Sequence, residues 1–284
     1  MKTVAYFRVL RTRHWIKNLF VLAAPFFGGT LFHDRSRIIV IPVFVAFCLC
    51  ASASYIINDI IDMRNDNHHP EKKLRPIAAG DISRGAAAAI AALLAVVSFC
   101  LAYRIGLVFL YFVCAYFLLQ AAYSFYLKHI PLVDIFCISA GFIIRITAGG
   151  AAFHVEVSRW LLLTMFMISI VLAIGKRGAE VMLLNGNAAN HRKSLRNYSQ
   201  AVMNEILIIS SSASLIAYSL YTVEQSPWLV YTVPVVTFGL FRYLMVSRQG
   251  LGDPTEAVTG DKWLALTVAV WLLLAGFMSY NKPL

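Results

Sequence analysis

The sequence predicts an all-α integral membrane protein, a bundle of about nine transmembrane helices. Hydrophobic residues make up 60% of the 284 residues and charged residues only 14%, whereas about a quarter of a soluble domain is charged. The mean hydropathy is +0.70, and apolar runs of the roughly 20 residues that a spanning helix needs recur along the chain. These observations predict a single transmembrane domain over residues 1–284.

The apolar runs place the predicted spans in chain order. They cover residues 18–33, 38–57, 86–103, 107–126, 131–150, 159–176, 204–223, 227–247 and 263–280. Several spans contain small residues, such as the alanine run 86–89 and the pair Gly149-Gly150. Small side chains let helix backbones approach closely, so these positions predict helix–helix contacts.

The formal charge of +11 follows from membrane topology and does not indicate a nucleic-acid partner. With the N-terminus inside, 19 of the 25 Lys and Arg residues fall in inner segments. The six others are Arg35, Arg37, Arg104, Arg145, Arg159 and Lys282. Basic residues gather in cytoplasmic loops and sit well against anionic lipid. The pattern predicts a multi-pass protein of the cell (inner) membrane, with a cytoplasmic N-terminus and an outer C-terminus.

The end of the second predicted span carries the strongest chemical signal, N-D-I-I-D-M-R-N-D from Asn58 to Asp66. If helix continues here, Asp59, Asp62 and Asp66 share one face, where like charges repel and carboxylates near hydrocarbon are costly. Mg²⁺ would remove both penalties, because it binds a few carboxylates and completes its shell with water and substrate phosphates. We therefore expect a magnesium site of Asp59, Asp62 and Asp66, with Asn58 binding or orienting them. The alternative is a solvated acidic helix end.

The following loop reads H-H-P-E-K-K-L-R-P-I from His68. Lys72, Lys73 and Arg75 are candidate phosphate ligands facing the acids, although the clustering of basic residues in cytoplasmic loops would also explain them. His68 and His69 beside three acids raise a zinc site as a less favoured alternative.

Together these two segments resemble the N-D-x-x-D-x-x-x-D signature of the UbiA-type intramembrane prenyltransferase superfamily and its usual continuation, K-x-x-R-P-I-A-x-G, here from Lys72 to Gly80. The resemblance covers essentially the whole chain. It implies the UbiA-like architecture, with an active-site cleft that faces the cytoplasm and opens laterally to lipid, and Mg²⁺ as cofactor.

The second half of the chain indicates the branch. Aromatic prenyltransferases of this superfamily carry a second aspartate-rich motif after span six, whereas this chain reads G-K-R-G-A-E from Gly175. With R-H-W-I-K-N at 13–18, Y-S-F-Y-L-K-H at 123–129, G-F-I-I-R at 141–145 and G-D-P-T-E at 252–256, it resembles the polyprenyl-phosphate phosphoribosyltransferase branch. That branch makes decaprenylphosphoryl-5-phosphoribose for arabinan precursors of the cell envelope. A phosphorylated sugar diphosphate and a lipid phosphate bring more anionic charge, which Lys176 and Arg177 would match.

The resemblance implies transfer of 5-phosphoribose from phosphoribosyl pyrophosphate to a polyprenyl (decaprenyl) phosphate, with release of pyrophosphate. Asp59, Asp62 and Asp66 would be catalytic through the metal. The implied substrate-binding residues are Lys17, Asn58, Lys72, Arg75, Tyr126, Lys128, Arg145, Lys176, Arg177, Glu180, Asp253 and Glu256. Expected partners are the lipid bilayer and the two substrates, and a homo-oligomer is compatible with the sequence.

Several alternatives stay open at this point. The protein could instead be an aromatic (4-hydroxybenzoate or quinone-pathway) prenyltransferase, or a non-enzymatic transporter or lipid-binding membrane protein. Single residues also have structural explanations that need no substrate. Lys17, Lys176 and Arg177 could be interfacial anchors, Tyr126 an aromatic-belt residue, Arg145 a helix-pairing residue, and Asp253 and Glu256 solvent-exposed loop acids.

Overall fold

The structure is a computed structural model and describes residues 2–67, 72–183 and 199–280, over which the chain is helical and without strands. Short 3₁₀ segments lie at Thr12–Leu22, Lys72–Leu74, Leu127–His129 and Leu229–Thr232. The α-helices of these ranges are α1 (Lys2–Val9), α2 (Ala23–Phe27), α3 (Asp34–Asp66), α4 (Arg84–Ile105), α5 (Leu107–Phe125), α6 (Val133–Phe153), α7 (Arg159–Leu183), α8 (Gln200–Gln225), α9 (Val233–Ser247), α10 (Pro254–Gly260) and α11 (Lys262–Tyr280).

Within the described ranges, eight helical segments are long and apolar enough to cross a membrane. They are α3 to α8, α9 together with the 3₁₀ turn before it, and α11. These segments coincide with the last eight predicted spans, which confirms the all-α membrane architecture.

Residues 18–33, predicted as the first span, have a different structure. They form the end of the 3₁₀ segment Thr12–Leu22, then the five-residue α2 and a turn. Pro25 has no backbone N–H to give to a helix, and Gly29 has a φ of 69°, a conformation that glycine adopts readily. Hydropathy alone does not register these two interruptions, because the segment is apolar throughout.

Side-chain caps begin several helices. Ser83 before α4 and Ser199 before α8 each accept a hydrogen bond from the backbone N–H three residues on, at 3.2 Å. Asp261 caps α11 by accepting from the Leu264 N–H at 2.8 Å, and Arg242 donates to both of its carboxylate oxygens at 3.0 and 2.6 Å. These bonds, first those from Arg242 and then that from Leu264, lower the pKa of Asp261 to about 2.

The first compact unit comprises Met1–Pro25, Leu31–Ile130 and Ile144–Val155. In it α3 packs against α4, α5 and the 3₁₀ segment Thr12–Leu22. The face of α4 that is buried carries small residues at four-residue intervals: Ala87, Ala91 and Ala95, followed by Ser98 and Ala102. This spacing confirms the close helix contact that the alanine run predicts.

Gly149 shows how tightly the first unit is packed. A Cβ built on this glycine would lie 1.8 Å from the carbonyl oxygen of Val21. Only a residue without a side chain therefore lets α6 approach the 3₁₀ segment Thr12–Leu22 at this point.

The second compact unit comprises Phe26–Thr30, Pro131–Ile143 and Glu156–Leu284. Its centre is the pairing of α7 with α8, where Val171, Ile174 and Met203 are fully buried. Helices α9, α10 and α11 complete this unit. Burial of apolar side chains within each unit supplies the packing that holds the polar residues described next.

Candidate functional site

Helix α3 carries the three predicted acids at its C-terminal end. It continues without a break to Asp66, so Asp59, Asp62 and Asp66 share one face, as expected. Its 33 residues rise about 50 Å at 1.5 Å per residue, more than the ~30 Å of a hydrocarbon core. The acidic end can therefore extend into the interfacial region, where charged groups are less costly.

Two arginines neutralise Asp59. Arg11 contacts both carboxylate oxygens, with its Nε 3.2 Å from Oδ2 and its Nη2 against Oδ1. Arg75 bridges two acids, because its Nη1 lies 3.1 Å from Asp59 Oδ1 and 2.6 Å from Asp66 Oδ2. Asp59 and Asp66 are only 2% and 4% exposed, so paired cations are what make these buried charges tolerable.

Lys128 neutralises the third acid. Its Nζ lies 2.5 Å from Asp62 Oδ1 and 3.2 Å from the side-chain oxygen of Asn58. Asn58 in turn donates from Nδ2 to Asp62 Oδ2 at 3.1 Å, which places its amide beside the carboxylate that it is predicted to orient. We call these residues the acidic cluster: Asn58, Asp59, Asp62 and Asp66 with Arg11, Arg75 and Lys128.

The charge balance of the acidic cluster differs from the sequence-based prediction. Three carboxylates were expected to repel each other unless a metal ion intervened, but three cationic side chains match them one for one. The positive residues thus lie among the acids. This arrangement presents cations and carboxylates together, which suits a substrate whose phosphates are bound by both a metal and basic side chains.

The loop after α3 holds Arg75 in place. Ile77 and Ile82 are 2% and 3% exposed and anchor it in the apolar core of the first unit. Gly80 has a φ of 80°, and the Ile82 N–H bonds to the Pro76 carbonyl at 3.2 Å, which closes the turn. The R-P-I-A-x-G part of the motif is therefore a rigid support for the guanidinium.

The donor set suits Mg²⁺ by its chemistry, since carboxylate oxygens and one amide oxygen are hard ligands. Among the residues that the structure describes, however, no group of three or more His, Cys, Asp or Glu side chains has a metal-binding arrangement. The side chains as placed serve their ion pairs. They would hold Mg²⁺ through a few of these oxygens. His68 and His69, the basis of the zinc alternative, lie outside the described residues.

The other predicted residues of the first unit have varied surroundings. Lys17 and Lys72 are half-buried in their 3₁₀ segments, and Tyr126 is exposed just after α5. Arg145 is 4% exposed and links helices. Its Nε donates to the side-chain oxygen of Asn18 at 2.9 Å and its Nη2 to the hydroxyl of Tyr116 at 2.8 Å. These contacts favour helix pairing over substrate binding for Arg145.

In the second unit the side chains of Lys176 and its neighbour Arg177 have different surroundings. The Lys176 side chain is 44% exposed, and its Nζ lies 2.7 Å from Asp253 Oδ2. Arg177 is 3% exposed and lies between Asp134 and Glu180, with its Nε 3.2 Å from Asp134 Oδ2 and its Nη1 3.1 Å from Glu180 Oε2. Of this pair, Lys176 thus offers the accessible cation, whereas Arg177 is enclosed by carboxylates. We call these five residues the second cluster.

Backbone approach and capping position Asp253. A Cβ on Gly252 would lie 2.2 Å from the Gly175 carbonyl oxygen, so only glycine lets this segment reach α7 beside Lys176. Asp253 also caps α10 by accepting from the Thr255 N–H at 3.0 Å. Glu256, in the first turn of α10, is exposed.

Two residues of these clusters were not among the predicted site residues. Arg11 counted only as a topological charge in the sequence, and no local spacing links it to Asp59, 48 positions away. Asp134 follows the Y-S-F-Y-L-K-H segment, but only the structure shows that it is fully buried, at 0% exposure, and pairs with Arg177. The sequence did contain a signal for Asp134, because an isolated acid at the start of an apolar helix needs a charged partner.

Known proteins resemble this chain in sequence. The model of the UbiA prenyltransferase family matches residues 19–259. The decaprenyl-phosphate phosphoribosyltransferase of Corynebacterium glutamicum is 34% identical over 289 residues, which cover 98% of this chain and 87% of that protein. The protein of the same name from Mycolicibacterium smegmatis is 34% identical over 291 residues, covering 96% and 92%.

Solved structures resemble it in fold. A UbiA homolog from Archaeoglobus fulgidus bound to GPP and Mg²⁺ superposes with a TM-score of 0.77 at 17% identity, covering 98% of this chain and 99% of that one. An apo UbiA homolog from Aeropyrum pernix K1 gives a TM-score of 0.65 at 12% identity, covering 98% of each. At these identities the likeness establishes the fold.

Proposed function

Because this chain belongs to the UbiA prenyltransferase family, we propose that it transfers 5-phosphoribose from phosphoribosyl pyrophosphate to decaprenyl phosphate or a similar polyprenyl phosphate. The observation that carries this proposal is the 34% identity, over nearly the whole chain, to proteins named decaprenyl-phosphate phosphoribosyltransferase. The mixture of carboxylates and cations in the acidic cluster supports it, since this chemistry suits phosphorylated substrates.

In the proposed reaction the bond between ribose C1 and the diphosphate oxygen breaks, and pyrophosphate leaves with the electron pair. A lipid phosphate oxygen forms the new bond to C1. The phosphate is already anionic at neutral pH, so the protein need not supply a strong general base. The chemistry that remains is binding, alignment and charge neutralisation.

The acidic cluster would bind the diphosphate. Asp59, Asp62 and Asp66, with Asn58 orienting Asp62, would hold Mg²⁺, which when bound neutralises charge on the leaving group. Arg75 and Lys128 lie directly against these acids and would bind diphosphate oxygens. Lys17 and Lys72 would add positive charge for the remaining phosphates.

The second cluster has one accessible cation. Lys176 would bind a phosphate, and Asp253 would orient Lys176 through their 2.7 Å contact. Arg177 and Glu180 would support this position from within the packed helix. Glu256, exposed on α10, would be available to ribose hydroxyls. The roles of Tyr126 and Arg145 toward substrate stay predictions.

A donor comparison tests the proposed function. Purified protein supplied with phosphoribosyl pyrophosphate, decaprenyl phosphate and Mg²⁺ should release pyrophosphate and form an anionic glycolipid, because the basic residues match a multiply phosphorylated donor. Pyrophosphate and lipid products are measured together, with Asp62→Asn protein as the control. Prenylation of 4-hydroxybenzoate from a prenyl diphosphate, without reaction of the sugar donor, would show that the branch is wrong.

We further propose that the chain acts as one domain with a cytoplasmic N-terminus and an outer C-terminus. The distribution of basic residues supports this orientation. Cysteines introduced singly at Arg13 and at Arg104, in a cysteine-free background, should differ in labelling by an impermeant maleimide in intact cells. Only the cysteine at position 104 should react. Labelling at 13 instead would reverse the topology.

A further inference from the structure

Within the acidic cluster, Arg11 makes a two-point contact with Asp59. It donates to both carboxylate oxygens of Asp59, which is 2% exposed and the most buried acid of the cluster. We propose that Arg11 and a divalent cation compete for this carboxylate, so that Arg11 is a further residue that sets the metal affinity of the site. The inference rests on the proposed function, which places the metal on these acids.

The contacts of Asp59 provide the first argument. A carboxylate has about four lone-pair positions. Arg11 occupies one on each oxygen, and Arg75 approaches Oδ1 as well, at 3.1 Å. A cation that binds Asp59 directly therefore meets an acceptor that is largely engaged, together with two positive charges that repel it.

The partners of the two arginines indicate which of them gives way. Arg75 has a second carboxylate, with its Nη1 2.6 Å from Asp66 Oδ2, and it is held by the anchored loop. Arg75 can keep this bond to Oδ2 while Asp59 binds a metal, because Asp66 can offer its other carboxylate oxygen to that metal. Among the residues that the structure describes, Arg11 forms its ion pair with Asp59 alone. Competition for Asp59 therefore acts chiefly on Arg11.

The conformation of Arg11 supports the same conclusion. Its backbone lies in the left-handed region, with φ 51° and ψ 47°, which non-glycine residues seldom adopt. Contacts with α3 therefore help to hold it there. Besides Asp59, its guanidinium carbon lies 5.4 Å from the ring centroid of Tyr55, one turn earlier on α3 and within cation–π range. This ring gives the guanidinium a second contact when the carboxylate is taken by a metal.

Metal binding without substrate tests the inference directly. Mn²⁺, which replaces Mg²⁺ and is detected by electron paramagnetic resonance, is titrated into purified full-length protein without any phosphate. Arg11→Gln should bind Mn²⁺ at least about tenfold more tightly than wild type, since a unit charge about 5 Å from a dication repels it by roughly that factor even in water. Arg13→Gln is the matched control, because it makes the same charge change two positions away on an exposed side chain.

The outcomes separate this inference from the proposed function. Equal Mn²⁺ affinity in Arg11→Gln and Arg13→Gln protein would overturn the competition alone. Absence of saturable Mn²⁺ binding in every variant would overturn the metal site and the competition together. If Arg11→Gln does not fold, Arg11→Lys serves instead. Its ammonium cannot span both oxygens, so its Mn²⁺ affinity should exceed that of wild type, and an unchanged affinity would again overturn the competition.

Discussion

Asp62→Asn protein should fold and insert normally and yet lose phosphoribosyl transfer activity by at least about a hundredfold. Removing a group that supports a metal ligand lowers activity by about 10- to 100-fold, and Asp62 is itself a proposed ligand. Asp62 is the best position for this test because its side chain is 20% exposed, and the buried Lys128 beside it keeps the side-chain oxygen of Asn58 as a partner. Its neutral replacement can keep the hydrogen bond with Asn58. Pyrophosphate release at saturating Mg²⁺, normalised to protein in the membrane fraction, measures the loss.

Two comparisons sharpen this result. Asp34→Asn makes the same chemical change at the other end of α3, where the side chain is fully exposed, and should leave activity unchanged. Asp59→Asn should lower both activity and folded yield, since the part-buried Arg11 and Arg75 lose the buried carboxylate that they share. Retained turnover in Asp62→Asn protein would contradict the place of Asp62 in the proposed metal site.

The acidic face of α3 could be predicted because a helix repeats every 3.6 residues, so spacing alone brings Asp59, Asp62 and Asp66 together. The same holds for the eight spans, which follow from long apolar runs. The charge balance could not be predicted. The sequence motif already predicts that Arg75 faces these acids, but Arg11 and Lys128 reach them from two other segments, and only the tertiary structure joins them.

Local interruptions and helix rotation explain two other differences. Residues 18–33 are apolar enough to span a membrane, but their α-helix is only Ala23–Phe27, with Pro25 in its first turn and Gly29 at φ 69° after its end, and window hydropathy averages over such single residues. Lys176 and Arg177 are adjacent in sequence, yet successive residues point about 100° apart around a helix. One therefore faces outward while the other is enclosed in the second unit.

This separation leads to the prediction that Asp134→Asn should destabilise the folded protein far more than Lys176→Gln. Asp134 is 0% and Arg177 3% exposed, and their 3.2 Å contact is buried on both sides. Breaking such a pair leaves a buried cation with less compensation, at a cost of about 3 kcal/mol. Removing one partner of a buried ion pair costs about 3–5 kcal/mol. The lower end of that range applies here because asparagine retains a polar contact and Glu180 remains near Arg177.

Thermal unfolding in detergent, followed by tryptophan fluorescence, should show the midpoint of Asp134→Asn protein lowered by roughly 5–10 °C. Lys176→Gln is the control, because its partly exposed pair with Asp253 contributes less than about 1 kcal/mol. That variant should keep its midpoint and instead raise the Michaelis constant for the donor or the lipid phosphate. Arg177→Lys should follow Asp134→Asn, since an ammonium cannot reach both carboxylates as the guanidinium fork does. Equal unfolding midpoints for Asp134→Asn and Lys176→Gln protein would mean that the buried Asp134–Arg177 pair does not stabilise the fold. Arg177 would then be assigned to phosphate binding, as the sequence predicts for it together with Lys176.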